Sequence, residues 1–168
     1  MKHIGLLSDT HSYLDKKIFE YFSACDEIWH AGDIGNEEIS KELSAFKPLR
    51  GVYGNIDGND IRLQHPLKQF FVCEDVKVLM IHIGGSPSYY QPETKQLIDE
   101  HQPDLFICGH SHILKVMQDK KNNFLYMNPG AAGKSGFHKM RTILRFNIDG
   151  KKIENLEVIE LGLRSAID

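Results

Sequence analysis

Side chains able to hold a metal ion recur in this chain at the ends of apolar runs. The stretch "DLFICGHSHILK" (104–115) breaks an apolar run at Gly109 and continues with His110 and His112. "LLSDTH" carries Asp9 and His11, "WHAGD" carries Asp33, "GVYGNID" carries Asn55 and Asp57, and "VLMIH" ends in His82. Taken singly, each has an ordinary explanation. A histidine closing a buried strand is more often hydrogen-bonded than metal-bound, and Asp or Asn after a strand is a common turn residue. The ordered set of Asp9, His11, Asp33, Asn55, His82, His110 and His112 is better explained by one site. Nitrogen and oxygen donors without cysteine argue against structural zinc and for a catalytic centre of manganese, iron, cobalt, nickel or zinc.

One ion does not need so many ligands, but two do if a carboxylate is shared. Paired ions about 3.5–4 Å apart are the usual arrangement for displacement at a phosphoester. Two divalent cations set against Asp9, Asp33 and a bridging hydroxide leave the pocket net positive, because Asn55 and the four histidines are neutral ligands. A phosphate anion would be drawn to it.

These residues need elements that bring them together. "HIGLLS", "EIWH", "LRGVYG", "VKVLMIH" and "DLFIC" read as short strands buried on both faces. Between them "SYLDKKIFEYFSAC" sets Leu14, Ile18, Phe22 and Cys25 on one helical face, with Ser12 and Asp15 spaced as a capping box. "NEEISKELSAF" follows Asn36, a good N-cap, and "QPETKQLIDEHQP" opens with proline at a first helical position. Alternating strands and helices imply a sheet with parallel neighbours, whose ligands gather beyond the carboxyl ends of the strands. In the last third "ILKVMQ", "NFLYMN", "RTILRFNI" and "KIENLEVIEL" are strand-like, with Asp149-Gly150 as a hairpin signal. They predict a largely antiparallel second sheet packed face to face with the first, helices outside. The expected class is α/β, a four-layer α-β-β-α sandwich of two mixed sheets, with residues 1–168 forming a single domain.

Composition fits that frame. The chain has 168 residues, 41% hydrophobic and 26% charged, with a net charge of -3, which suits a soluble domain with no overall bias toward nucleic acid. "DKKNN" and "GKK" read as solvated turns. Cys25, Cys73 and Cys108 are odd in number and scattered, as buried free thiols in a reducing compartment would be. The N-terminal apolar stretch is too short for a signal-peptide core, and no segment approaches the ~20 apolar residues of a spanning helix. The expected location is the cytoplasm. The aromatic set Phe19, Phe22, Phe46, Phe70 and Phe71 reads as core, and His3, His30, His65, His101 and His138 are structural by default, His30 packing near the site.

The blocks D-x-H, G-D, G-N-x-D, H and G-H-x-H occur here in the order found in the calcineurin-like metallophosphoesterases. The chain resembles the compact YfcE-type phosphodiesterases of that superfamily over essentially its whole length, including "NPGAAG" (128–133), which is similar to the glycine turn after the last ligand block. The resemblance implies that Asp9, His11, Asp33 and His112 hold one ion and that Asp33 bridges to a second, completed by Asn55, His82 and His110. It implies two packed β-sheets flanked by helices, two divalent ions with manganese favoured, and a small phosphate-ester substrate. The ester would be hydrolysed by in-line attack of a metal-bridging hydroxide, with Asn55 stabilising the phosphoryl oxygens.

Two positions depart from the family pattern. Larger relatives follow the G-N pair with a histidine that contacts phosphate, where this chain has Ile56. Many also follow the lone ligand histidine with Gly-His, where His82 is followed by "IGG". An easily expelled leaving group fits this, or a proton supplied by Asp57, His65 or His138. Asp57 could instead orient a ligand, and Tyr89 or Tyr90 could stack on a leaving group. The alternatives are a phosphomonoesterase and a non-catalytic scaffold, since the retromer subunit of this fold resembles these enzymes. A nuclease is disfavoured by the absence of a long basic tract, no membrane partner is expected, and homo-oligomerisation is left open.

Overall fold

Alternation along the strands decides the layers. In the computed structural model, which describes residues 1–167, β1 (Lys2–Leu7) sends Ile4 and Leu6 into one cluster and Leu7 into another. On β5 (Val76–Ile81) and β6 (Leu105–Ile107), Val78, Met80, Leu105 and Ile107 join the Ile4 cluster, while Leu79, Ile81 and Phe106 form a third. This period-two division makes the first cluster the seam between two sheets. Trp29 fills it, its ring 5.0 Å from that of Phe71 and 5.8 Å from that of Phe146.

The first sheet has the order β10-β9-β1-β2-β3, with β2 (Glu27–His30), β3 (Leu49–Gly51), β9 (Met140–Asp149) and β10 (Lys152–Leu163). Its strands β1, β2 and β3 run parallel. Its outer face carries the second cluster, with Ile18 of α1 (Lys17–Tyr21), Ile39 and Leu43 of α2 (Glu37–Phe46) and Ile61 of α3 (Asn59–Gln64). The second sheet has the order β4-β5-β6-β8-β7, with β4 (Lys68–Cys73), β7 (Leu114–Asp119) and β8 (Phe124–Pro129). Here β5, β6 and β8 are parallel, and Leu97 and Ile98 of α4 (Pro92–His101) cover the outer face. The result is the four-layer sandwich with two mixed sheets. Among the described residues no helix is long and apolar enough to cross a membrane.

Several local expectations hold. Asn36 caps α2 by accepting from the Ile39 N–H at 3.1 Å, Pro92 opens α4, and all three cysteines are free and buried. Others are corrected. The last third does not form a separate antiparallel sheet: β7 and β8 extend the second sheet, while β9 pairs with β1 and carries β10 onto the first. Strand propensity does not say which edge a strand joins. The Ser12–Asp15 capping box does not form, because the Ser12 N–H is committed to the Ile34 carbonyl at 3.0 Å. Asp15 instead accepts from the Lys17 N–H and pairs with Arg141 at 2.8 Å, so α1 is one short turn. The hairpin turn lies one residue later, at Gly150-Lys151, since Asp149 pairs with Lys152. Strand β4 and helix α3 were not anticipated, and Phe70 on β4 is 41% exposed, stacked on His101 at 4.3 Å, outside the core.

Candidate metal centre

The parallel strands end on one side, and the loops that follow them converge. Asp9 and His11 follow β1, Asp33 follows β2, Asn55 follows β3, His82 follows β5, and His110 and His112 follow β6. The backbone there is bent hard. Asp9, His11, Asp33, His110 and His112 take φ of 55°, 46°, 55°, 69° and 59°, a left-handed conformation that Asp and His enter more readily than most residues. Each costs about 1–3 kcal/mol and persists only where surrounding contacts enforce it. Enforcement comes from the chain itself: the Asp9 N–H donates to the Gly32 carbonyl at 2.9 Å and the His11 N–H to the Asp33 carbonyl at 3.0 Å.

The two carboxylates are held alike. In Asp9, Oδ2 accepts from the Ser8 hydroxyl at 2.7 Å and from the His110 N–H at 3.1 Å. Oδ1 is left for the histidines, 3.1 Å from His112 Nε2 and 3.7 Å from His11 Nε2. In Asp33, Oδ1 accepts from the Ile56 N–H at 3.1 Å. Its Oδ2 lies 3.4 Å from His11 Nε2 and 3.2 Å from His82 Nε2. Gly54 makes this possible, since a Cβ there would sit 2.0 Å from Asp33 Oδ1.

The imidazoles are aimed by their other nitrogens. His82 Nδ1 lies 2.7 Å from the Ala31 carbonyl; a carbonyl only accepts, so the proton is on Nδ1 and Nε2 faces the carboxylates. His138 Nε2 donates to the Gly133 carbonyl at 2.9 Å, which leaves its Nδ1 to accept from His112 Nδ1 at 3.3 Å and turns His112 Nε2 toward Asp9. His30 stays out of the site, with Nδ1 accepting from the Gly32 N–H and Nε2 3.0 Å from the Thr10 hydroxyl. Burial pushes its pKa down to about 3, so it is a neutral brace.

Asp9 Oδ1, His11 Nε2 and His82 Nε2 are buried without a hydrogen bond. Orphaned polar atoms of this kind cost free energy unless something satisfies them, and inward-facing carboxylate oxygens and imidazole nitrogens are what a divalent cation requires. Among the described residues two groups could each hold one: Asp9, His11 and His112, and Asp33, His82 and His110, their donor atoms within 4.8 Å of one another in each group. Electrostatics agree. Burial raises the pKa of both carboxylates, yet the histidines outweigh it and hold Asp9 and Asp33 well below the usual range. The Asp33 carboxylate first, then that of Asp9, raises His11 to about 9, and His82 also moves up, its burial being outweighed by Asp33. A cation entering the centre therefore displaces protons.

Asn55 is exposed and lines a shallow hollow of about 240 Å³ over these groups, together with His11, Asp33, His110 and Phe137. Asp57 is fully engaged, accepting from the backbone N–H groups of Ile34, Gly35 and Gly54 at 3.1, 2.7 and 2.8 Å. It ties the Asp33 loop to the Asn55 loop. His65 points away, its Nε2 2.6 Å from the Ser40 hydroxyl. Tyr90 is not on the rim: it is buried and its hydroxyl donates to Asp119 at 2.7 Å, whereas Tyr89 is 80% exposed. Sequence reasoning passed over Ser8 and Thr10, and took Gly54 only as part of the G-N-x-D block. Only their adjacency to metal-capable residues could have flagged them, because their work is done through contacts across the site.

Residues 1–151 match the family model of the calcineurin-like phosphoesterase superfamily domain, and the chain belongs to that superfamily. It is thus a metal-dependent phosphoesterase, of a class that uses divalent ions. It is similar to a probable metallophosphoesterase of Methanocaldococcus jannaschii, 30% identical over 165 residues covering 94% of this chain and 81% of the relative. A probable metallophosphoesterase of Methanothermobacter thermautotrophicus is 28% identical over 166 residues, 95% of this chain and 92% of that one. Among solved structures, an archaeal phosphodiesterase shares the fold with a TM-score of 0.75 at 23% identity, covering 95% and 99% of the two chains. Vps29 of Chaetomium thermophilum shares it with a TM-score of 0.75 at 15% identity, covering 95% of each.

Proposed function

We propose that this chain is a two-metal phosphodiesterase acting on a small phosphate ester. The observation that carries the reading is the position of Asp33 Oδ2, 3.4 Å from a nitrogen of one donor group and 3.2 Å from a nitrogen of the other. A carboxylate so placed joins two ion sites into one centre, with Asp9, His11 and His112 on one side and His82, His110 and Asn55 on the other. When bound, two divalent ions, manganese favoured over iron, zinc, nickel or cobalt, supply Lewis acidity and a water of lowered pKa. The chain's own residues would hold the phosphoryl group: the Asn55 amide would donate to a phosphoryl oxygen, and the hollow over the donor groups would give the departing ester group a way out to solvent. Water forms the new bond to phosphorus, the P–O bond to one ester group breaks with its electron pair on oxygen, and an alcohol and a monoester result.

Diesters are favoured over monoesters because Ile56, 45% exposed, and Phe137, fully exposed, set apolar surface at the rim of the hollow, which suits a second ester group better than the second bare charge of a monoester dianion. The archaeal protein of the same fold is described as a phosphodiesterase, which supports this. His138 and Asp57 act as positioning residues, and residues 1–168 act as one domain in the cytoplasm. The net charge of -3 disfavours a nucleic-acid polymer as substrate. A scaffold role is the second reading, favoured by the same exposed apolar rim and by the fold shared with Vps29.

The test compares bis(p-nitrophenyl) phosphate with p-nitrophenyl phosphate after chelation and readdition of manganese, with Asp33→Asn as control. Faster manganese-dependent cleavage of the diester, lost in the variant, is expected. Absence of turnover with all five metals would replace this reading with the scaffold.

A further inference from the structure

A second cleft of about 300 Å³ adjoins the hollow over the metal-capable groups and shares His110 and Ser111 with it. One wall is the 83–89 segment, and the other is Ile113 and Lys115 at the start of β7. The floor is Tyr126, whose hydroxyl donates to the Gly85 carbonyl at 2.9 Å.

The cleft is built in advance. The Tyr89 N–H donates to the Ser86 carbonyl at 2.8 Å, closing a turn. Gly85 has φ +88°, and a Cβ there would meet the Tyr89 carbonyl oxygen at 2.4 Å, so only glycine fits the fold-back. Beyond the turn, Tyr90 is anchored in the core through Asp119. Tyr89 is therefore held by its backbone while its ring stands outside, 80% exposed, beside Ile83 at 40% and Ile113 at 64%. Three large apolar side chains around one concavity next to a reaction centre mark a ligand surface. Lys115 is half-buried in this lining, and no carboxylate among the described residues pairs with it. Its stem adds apolar surface, and its ammonium supplies an unneutralised positive charge.

We infer that this cleft is the subsite for one ester group of the substrate, and that it takes a planar aromatic group bearing an anionic substituent, the ring lying among Ile83, Tyr89 and Ile113 and the anion meeting Lys115. This rests on the phosphodiesterase reading of the metal centre. The exposed Tyr89 ring gives an aromatic group a face to stack on, and the charge selects its substituent.

The experiment uses the full manganese-loaded chain and two substrates whose nitrophenol leaving groups have nearly equal proton affinity, methyl 4-nitrophenyl phosphate and methyl 3-carboxy-4-nitrophenyl phosphate. A kcat/KM about tenfold or more in favour of the carboxylated ester is expected, as one charge-assisted contact provides. Lys115→Met should abolish that preference, Tyr89→Ala should lower both rates, and Lys68→Met, on the far strand β4, should leave the preference in place. Equal rates for the two esters in the unaltered chain would overturn the inference. Calorimetric titration with 5-hydroxy-2-nitrobenzoate separates this from failure of the reaction itself. Binding that is lost in Lys115→Met upholds the cleft as an aromatic-anion site even without turnover, and absence of binding overturns it.

Discussion

His112 Nδ1 lies 3.3 Å from His138 Nδ1, and the direction of the proton between them decides whether His112 can bind a metal. His138 must donate through Nε2 to the Gly133 carbonyl. Burial, followed by the nearby His112 and Arg164, keeps its pKa below the ordinary value, so its Nδ1 is an acceptor. The His112 proton is thereby placed on Nδ1 and the lone pair on Nε2, toward Asp9.

Removing this partner should weaken the metal centre without unfolding the chain. His138→Ala is expected to lower manganese affinity at the Asp9 side by about 10–100-fold, the usual effect of losing a residue that orients a ligand. His138→Gln, which keeps an acceptor, should recover part of it. Titration of the chelated protein with manganese, followed by electron paramagnetic resonance, reads the affinity directly. An affinity unchanged in His138→Ala would show that His112 needs no such orientation.

Asn55 has a different signature. Its amide is exposed above the centre, and Asn55→Ala should lower kcat by about 10²–10³, the loss typical of one donor to developing charge. Part of the second ion's affinity should go with it, while the melting temperature of the chelated protein stays within error. Steady-state kinetics at saturating manganese separates the loss in kcat from the loss in metal binding.

The pH dependence follows from His11. Its folded pKa of about 9 lies above the unfolded value, so the ion pair with Asp33 and Asp9 contributes fully below about pH 6.5 and is lost as pH rises through 9. The metal-free chain should therefore melt at a lower temperature at pH 9.5 than at pH 7. Asp9 and Asp33, held low by the same histidines, contribute above the unfolded carboxylate range and are lost only in strong acid. Manganese affinity should move oppositely to the His11 contribution, rising from pH 6.5 to 9 as competing protons leave. Differential scanning calorimetry with and without manganese at both pH values tests both signs.

Gly54→Ala probes the packing behind Asp33. The added methyl would sit 2.0 Å from Oδ1 and 2.5 Å from the Asp33 backbone nitrogen, so Asp33 must move. A destabilisation of about 1–3 kcal/mol, typical of overpacking, should accompany loss of the shared ion site. Denaturant unfolding and metal stoichiometry measure the two together, and retention of two ions per chain would contradict the shared-carboxylate geometry.

Much of this centre was legible in the linear chain because strand ends impose it. A buried parallel strand reads as an apolar run, and the first polar residues after it must lie at the sheet's carboxyl edge, so Asp9, His11, Asp33, Asn55, His82, His110 and His112 could be gathered before any contact was known. The α/β class and the capping of α2 by Asn36 were legible for the same local reason. What only the tertiary structure decided were relationships between segments far apart in sequence. Ser12 fails to start a helix because Ile34 claims its N–H. Strands β9 and β10 leave their sequence neighbours to pair with β1, since any alternating strand can complete either sheet edge. Asp57 is occupied by three backbone amides and His65 by Ser40, engagements across the fold that composition could not show. His138, 26 residues from His112, becomes its partner only because the turn at Gly136 brings them together. Residue type and spacing determine which chemistry is available, while hydrogen-bond geometry across the fold determines which atom of each residue is free to perform it.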